Sequence, residues 1–166
     1  MKKFNDTILS VTVAVIDFLY NNRPIQRFWL LETIARAPYF AFLSVLHLRE
    51  SLGLRGPEHL YLMKEHFEQT LNETEHLEEM ELRGGSKYWI DRVFAYNLVI
   101  IYYWIMVVYY FLNPSSAYHL NAGIEFHATE TYLTYFFEHQ EDEKIAQIAV
   151  DEMNHYIELL RAMEMV

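Results

Sequence analysis

An all-α fold is what this chain predicts, and three observations carry it. Apolar residues recur mostly at three- and four-residue spacing, with little strict alternation. Glycine and proline are sparse, five and four in 166 residues. Turn and capping chemistry gathers in five short clusters: "NNRP" (21–24), "GLRGP" (53–57), "RGGS" (83–86), "NPSS" (113–116) and "EHQED" (138–142). Cut at those clusters, the chain yields about six helices, near 5–20, 25–52, 58–83, 88–112, 117–138 and 142–164.

The first helix begins like a secretion signal, with two lysines ahead of an apolar run from Ile8 to Ile16. Asn5, Asp6 and Asp17 interrupt or end that run and no small-x-small cleavage site follows, so residues 4–20 read as a retained amphipathic helix. The second helix places Glu32 inside the apolar stretch "RFWLLETIARAPYFAF". A lone buried carboxylate costs several kcal/mol; an ion pair with Arg27 or Arg36 would offset that, and so would a metal ion. The third helix carries "NETEHLEEMELRGG", where Glu73 and His76 stand one turn apart while Glu75, Glu78, Glu79 and Glu81 read as a solvated face.

The fourth helix is the odd one. "FAYNLVIIYYWIMVVYYFL" is apolar at 18 of 19 positions, and no Asp, Glu, Lys or Arg occurs from Val93 to Ile124. About 20 such residues can span a bilayer, so three readings compete: a transmembrane span, the buried centre of a bundle, or a helix lying in the membrane interface. Eight aromatics among those 19, five of them tyrosines, suit a wet-dry boundary better than pure hydrocarbon. The fifth helix then brings Glu125, the first acid after 32 uncharged residues, and Tyr132, two turns further along nearly the same face. The sixth brings Glu152 and His155.

Length and composition fit one domain, 1–166, with room for a real core. A formal net charge of −10 argues against a nucleic-acid partner, which wants a basic surface. With no cysteine, disulfides and thiolate catalysis are excluded, and any metal must be held by carboxylate and imidazole.

Two Glu-x-x-His pairs mean little alone: 18 Glu and 8 His in 166 residues lead one to expect 18 × 8/166, about 0.9, by chance. Their order says more. Di-iron bundles of the ferritin-like kind take one Glu from each of two helices and Glu-x-x-His from each of the other two. Here Glu32, Glu73/His76, Glu125 and Glu152/His155 give that series once, one element per helix. Carboxylate-rich ligation with one imidazole per metal suits iron or manganese. The series also bears on the fourth helix. Were 88–112 to cross a bilayer once, Glu73 and Glu125 would sit on opposite sides and share no metal, so the helix is expected to lie flat, as a monotopic attachment.

Several blocks together, "RFWLLETIARAPYFAFLSVLHL", "NETEHLEEMELRGG", "DRVFAYNLVIIYYWIMVVYYFLNPSSAYH", "IEFHATETY" and "DEMNHY", resemble the alternative oxidase superfamily, most closely its plastid terminal oxidase branch, over about Arg27 to His155. That resemblance implies an interfacial di-iron quinol oxidase that passes electrons from two quinols to O2 without pumping protons. It implies iron ligands Glu32, Glu73, His76, Glu125, Glu152 and His155, with Glu73 and Glu152 bridging, and a redox-active Tyr132; the bland alternative for Tyr132 is a core tyrosine. Arg27, Leu31, Ala128 and Thr131 match the family's quinol pocket, although Arg27 suits a lipid headgroup equally well. Asn72 and Asp151 would hydrogen-bond the non-ligating nitrogen of the opposite histidine, and His47 matches a dimer-packing position. Four carboxylates would cancel the charge of a diferrous pair, and two of the four electrons for O2 would come from the tyrosine and bound quinol.

Departures from the branch are the short Glu125-to-Glu152 interval, and Glu75 and Asn154 beside the ligand histidines. Plastid-like motifs and the absence of a transit peptide imply plastoquinol as substrate, ubiquinol being the alternative, and a thylakoid or cytoplasmic membrane of a cyanobacterial-type cell. The rivals are a di-iron quinone-ring hydroxylase, a non-enzymatic iron-binding or ferroxidase bundle, and a metal-free membrane-anchored interaction protein.

Overall fold

The computed structural model describes residues 2–139 and 142–166, and its regular structure is entirely helical: α1 (Lys2–Tyr20), α2 (Pro24–Ser51), α3 (His59–Leu82), α4 (Trp89–Leu112), α5 (Pro114–Glu138) and α6 (Glu143–Glu164). The "NPSS" break shrinks to Asn113 because Pro114 opens α5, and the first turn of a helix is where a missing N–H is least felt. Two residues of the "EHQED" break, Gln140 and Glu141, lie outside the described residues. Past them Asp142 caps α6, its carboxylate accepting from the Ile145 N–H at 3.3 Å.

The chain forms two compact units, one running Thr12–Asn113 and the other joining the chain up to Val11 with Pro114–Val166. In the first, α2 packs against both α3 and α4. Rings do much of this: Trp29 meets Tyr96 edge-on at 6.2 Å, and Phe42 lies 4.6 Å from Tyr110. The "RGG" that ends α3 has two separate reasons to be glycine. Gly84 takes φ +84 so that its N–H reaches the Glu81 carbonyl at 2.9 Å, while the Gly85 N–H reaches that of Met80 at 2.9 Å, a Schellman close. Gly85 also sits against α2: a Cβ there would stand 2.3 Å from Trp29 Cβ.

Asp91, at the start of α4, is 5% exposed and binds two groups from the end of α1 and the turn after it. It is ion-paired with Arg23 and accepts from the Tyr20 hydroxyl at 3.3 Å. The Arg23 guanidinium also lies over the Tyr20 and Tyr88 rings, at 5.1 and 4.7 Å. Burial and the Asp91 charge push the Tyr20 phenol up to about 12.

The inner face of α3 is more polar than that of an ordinary amphipathic helix. Its buried stripe is largely polar, including His59, His66, Gln69, Thr70, Glu73 and His76, while Leu60, Phe67 and Leu71 are exposed. On α4 only Asp91, Ala95, Met106 and Tyr110 are buried. Both α2 and α4 are long and apolar enough to cross a membrane, but the apolar window of α2 is 61% buried against 17% for α4.

In the second unit α5 packs along α6. The start of α1 is tied to α5 by Asn5 Nδ2, which donates to the Ser116 carbonyl at 2.8 Å.

Candidate metal centre

In the Thr12–Asn113 unit, α2 supplies Glu32 and α3 supplies Glu73 and His76, which share a face because they are three residues apart. All three are buried, at 2%, 0% and 4% exposure. One donor atom from each lies within 4.8 Å of the other two, and His76 Nδ1 is 3.7 Å from Glu32 Oε2. Of the two arginines considered as partners for Glu32, Arg27 binds Asp17 at 2.6 Å, and Arg36 buries its Nε with no hydrogen-bond partner among the described residues.

The other unit repeats the arrangement with α5 and α6. Glu125, Glu152 and His155 are buried, their donor atoms lie within 4.8 Å of one another, and His155 Nδ1 is 3.7 Å from Glu152 Oε2. The buried stripe of α5 is polar as well: Tyr118, Asn121, Glu125, Thr129 and Tyr132. Asn121, which the sequence reading missed, donates from Nδ2 to Glu125 Oε1 at 3.2 Å. The available signal was an Asn one turn ahead of an acid. Thr129 gives its hydroxyl proton to the Glu125 carbonyl at 3.0 Å, and Tyr132 is fully buried two turns beyond Glu125.

Each unit thus gathers two carboxylates and one imidazole away from water. Donors about 2.1 Å from one ion lie roughly 3–4 Å apart, the range of the two histidine-carboxylate approaches. Carboxylates this deeply buried call for nearby positive charge. Hard oxygen donors with one imidazole and no thiolate fit iron or manganese.

The remaining expected residues are placed less tellingly. Asn72 is half-buried; Asp151, also half-buried, accepts from Gln147 Nε2 at 2.9 Å. Leu31, Ala128 and Thr131 are half-buried, and the Thr131 hydroxyl is spent on the His127 carbonyl at 2.9 Å. A groove of about 350 Å³ runs between α2 and α4, lined by Ala37, Phe40, Ser44, Val99, Ile100, Tyr103 and Trp104, and none of the four expected quinol residues borders it. His47 is exposed. The expected solvated face of α3 holds for Glu75, Glu78 and Glu81, which are exposed, Glu81 also accepting from Trp29 Nε1 at 3.3 Å; Glu79 is half-buried and pairs with Arg83 at 2.8 Å.

His66, two turns before Glu73, was also missed. Its Nδ1 lies 2.8 Å from Gln69 Oε1 and its ring 5.0 Å from that of Phe42. Burial lowers its pKa to about 4 against the raising effect of the Gln69 hydrogen bond, so it is neutral at pH 7.

Comparison with known proteins gives one family and one curated relative. The model of the family described as "Alternative oxidase" matches residues 2–163. An Arabidopsis thaliana protein named "Ubiquinol oxidase 4, chloroplastic/chromoplastic" is 46% identical over 121 residues, 72% of this chain and 34% of the relative. The chain therefore spans about a third of the length of that relative. No solved structure matches significantly.

Proposed function

Because the chain belongs to the alternative oxidase family, we propose that it is a membrane-associated quinol:oxygen oxidoreductase, one functional domain over 1–166. The observation that carries this reading is the double triad: each unit independently gathers a buried Glu-x-x-His pair and a glutamate from the neighbouring helix. Glu32, Glu73 and His76 of one unit and Glu125, Glu152 and His155 of the other would hold iron, the residue series that di-iron bundles use.

Two iron ions bound there would supply the electron transfer to O2. Across the reaction two quinols give up four electrons and four protons, and O2 becomes two waters. The four carboxylates balance the charge of two divalent ions. Asn72 and Asp151 orient the ligand histidines through their non-ligating nitrogens. Arg27, held by Asp17, offers donors to a quinol oxygen; Leu31 and Ala128 give the ring an apolar surface, and the Thr131 hydroxyl oxygen can still accept. Tyr132, dry and close along α5 to Glu125, would lend an electron and its phenolic proton and regain both from quinol, so the net four electrons remain those of the two quinols.

The membrane reading draws on the exposed face of α4, where Ile100, Ile101, Trp104, Ile105 and Val108 are each more than half exposed. Crossing is disfavoured because α2 packs on both α4 and α3. An α4 that spanned the bilayer would draw in α3 with its seven acids. Lying flat, the protein does its chemistry at one surface and pumps no protons. The outward stripe of Leu60, Phe67 and Leu71 on α3 supports a homodimer. The relative is named for ubiquinol and for the chloroplast. The plastid address favours plastoquinol, and a thylakoid or cytoplasmic membrane of a cyanobacterial-type cell.

Oxygen uptake by membranes expressing the chain tests this, with plastoquinol or decyl-ubiquinol added. Quinol-dependent, cyanide-resistant uptake is expected from the wild type, lost in Glu73→Ala and strongly reduced in Tyr132→Phe. An iron-loaded wild type that consumes no oxygen with either quinol refutes it.

A further inference from the structure

We propose that Asn121 is a positioning residue for Glu125, fixing which carboxylate oxygen is offered to metal; this rests on the reading of Glu125 as a ligand. Asn121 Nδ2 donates to Glu125 Oε1 at 3.2 Å, and the two side chains are 0% and 1% exposed. With water excluded, a donor to a carboxylate acts more strongly than at a surface. It ties Oε1 to a point one helical turn back and leaves Oε2 as the oxygen that Asn121 does not hold. Glu125 is thereby set as a one-oxygen ligand with little freedom to swing. The hydroxyl one turn further on cannot do this work, because Thr129 gives its proton to the Glu125 backbone carbonyl.

The other end of the same side chain separates positioning from mere packing. Asn121 Oδ1 is buried with no hydrogen-bond partner among the described residues, and such a group weakens a fold. A leucine of similar volume would suit folding at least as well. What the amide does that leucine cannot is hold the carboxylate.

The test uses the full chain in detergent or membranes, comparing wild type, Asn121→Leu, Asn121→Ala and the amide-retaining Asn121→Gln. Two readouts are needed: iron retained per chain against graded chelator, and the melting temperature of iron-free protein. Orienting groups of this kind typically change metal affinity by roughly 10–100-fold. Asn121→Leu should therefore lose that much iron affinity while its iron-free form melts no lower than wild type, and Asn121→Gln should recover most of the loss. Should leucine overpack the site, Asn121→Ala, which cannot, must show the same loss of affinity. Wild-type iron affinity in both Asn121→Leu and Asn121→Ala overturns the proposal. So does a fall in affinity matched by earlier melting of both iron-free variants and not restored by Asn121→Gln. A wild type that binds no iron overturns the ligand reading of Glu125 instead, and the proposal with it.

Discussion

Replacing Asp91 by alanine removes the carboxylate that joins the start of α4 to the α1–α2 turn. The buried Tyr20 hydroxyl then has no Asp91 oxygen to donate to, 3.3 Å away in the wild type, and a stranded buried hydroxyl costs about 1–3 kcal/mol. The Arg23 side chain is 35% exposed; water screens it, so its lost ion pair contributes only about 1 kcal/mol. Together the loss is about 2–4 kcal/mol, which for a chain this long lowers the melting temperature by roughly 5–15 °C. Tyr20→Phe discards donor and hydroxyl together and should cost about 1 kcal/mol. The melting should be followed by circular dichroism at pH 7 in one detergent. An alkaline limb sharpens the test. Because the folded Tyr20 pKa is raised from 10 to about 12, its contribution is complete below pH 10 and fades between 10 and 12, a fading that Tyr20→Phe lacks. A shift below about 2 °C for Asp91→Ala would refute this account, as would an unchanged alkaline limb in Tyr20→Phe.

Three further outcomes are expected. Gly85→Ala drives a Cβ to 2.3 Å from Trp29 Cβ and 2.8 Å from the Met80 carbonyl, neither of which is a flexible side-chain end; it should destabilise by about 3 kcal/mol or more, and a wild-type melting curve would contradict this. His66 has a folded pKa near 4, below its ordinary 6.5, so its contribution is present above pH 6.5 and lost as pH falls toward 4. His66→Leu should flatten the pH dependence of melting across that window, and an unaltered slope would count against it. Ile101→Glu with Ile105→Glu places two charges on residues 57% and 54% exposed on α4. Sedimentation with lipid vesicles should show binding weakened at least tenfold without loss of helical circular dichroism, whereas undiminished binding would remove α4 from the membrane.

The helices were legible because their ends are marked chemically. Proline opens α2 and α5, and glycine closes α3 in a left-handed turn. The residues gathered into the two triads stand out by order along the chain, since two Glu-x-x-His pairs against about 0.9 expected by chance say little alone. Hidden were the groups whose partners depend on packing. Apolar periodicity finds the inner face of a helix only when that face is apolar, and α3 and α5 bury polar stripes. His66, Gln69 and Asn121, buried in those stripes, consequently give no apolar-periodicity signal. The choice of Asp17 for Arg27 depends likewise on how α1 meets α2.

The donor residues are divided three and three between the two compact units, and under the proposed function this makes metal retention a report on folding. Neither unit alone owns the donors for two ions of the kind proposed. A nascent chain that has finished only Thr12–Asn113 holds Glu32, Glu73 and His76, a set too small to keep an iron pair. Under the proposed function, tight iron capture would then wait for α6, which carries Glu152 and His155, to leave the ribosome.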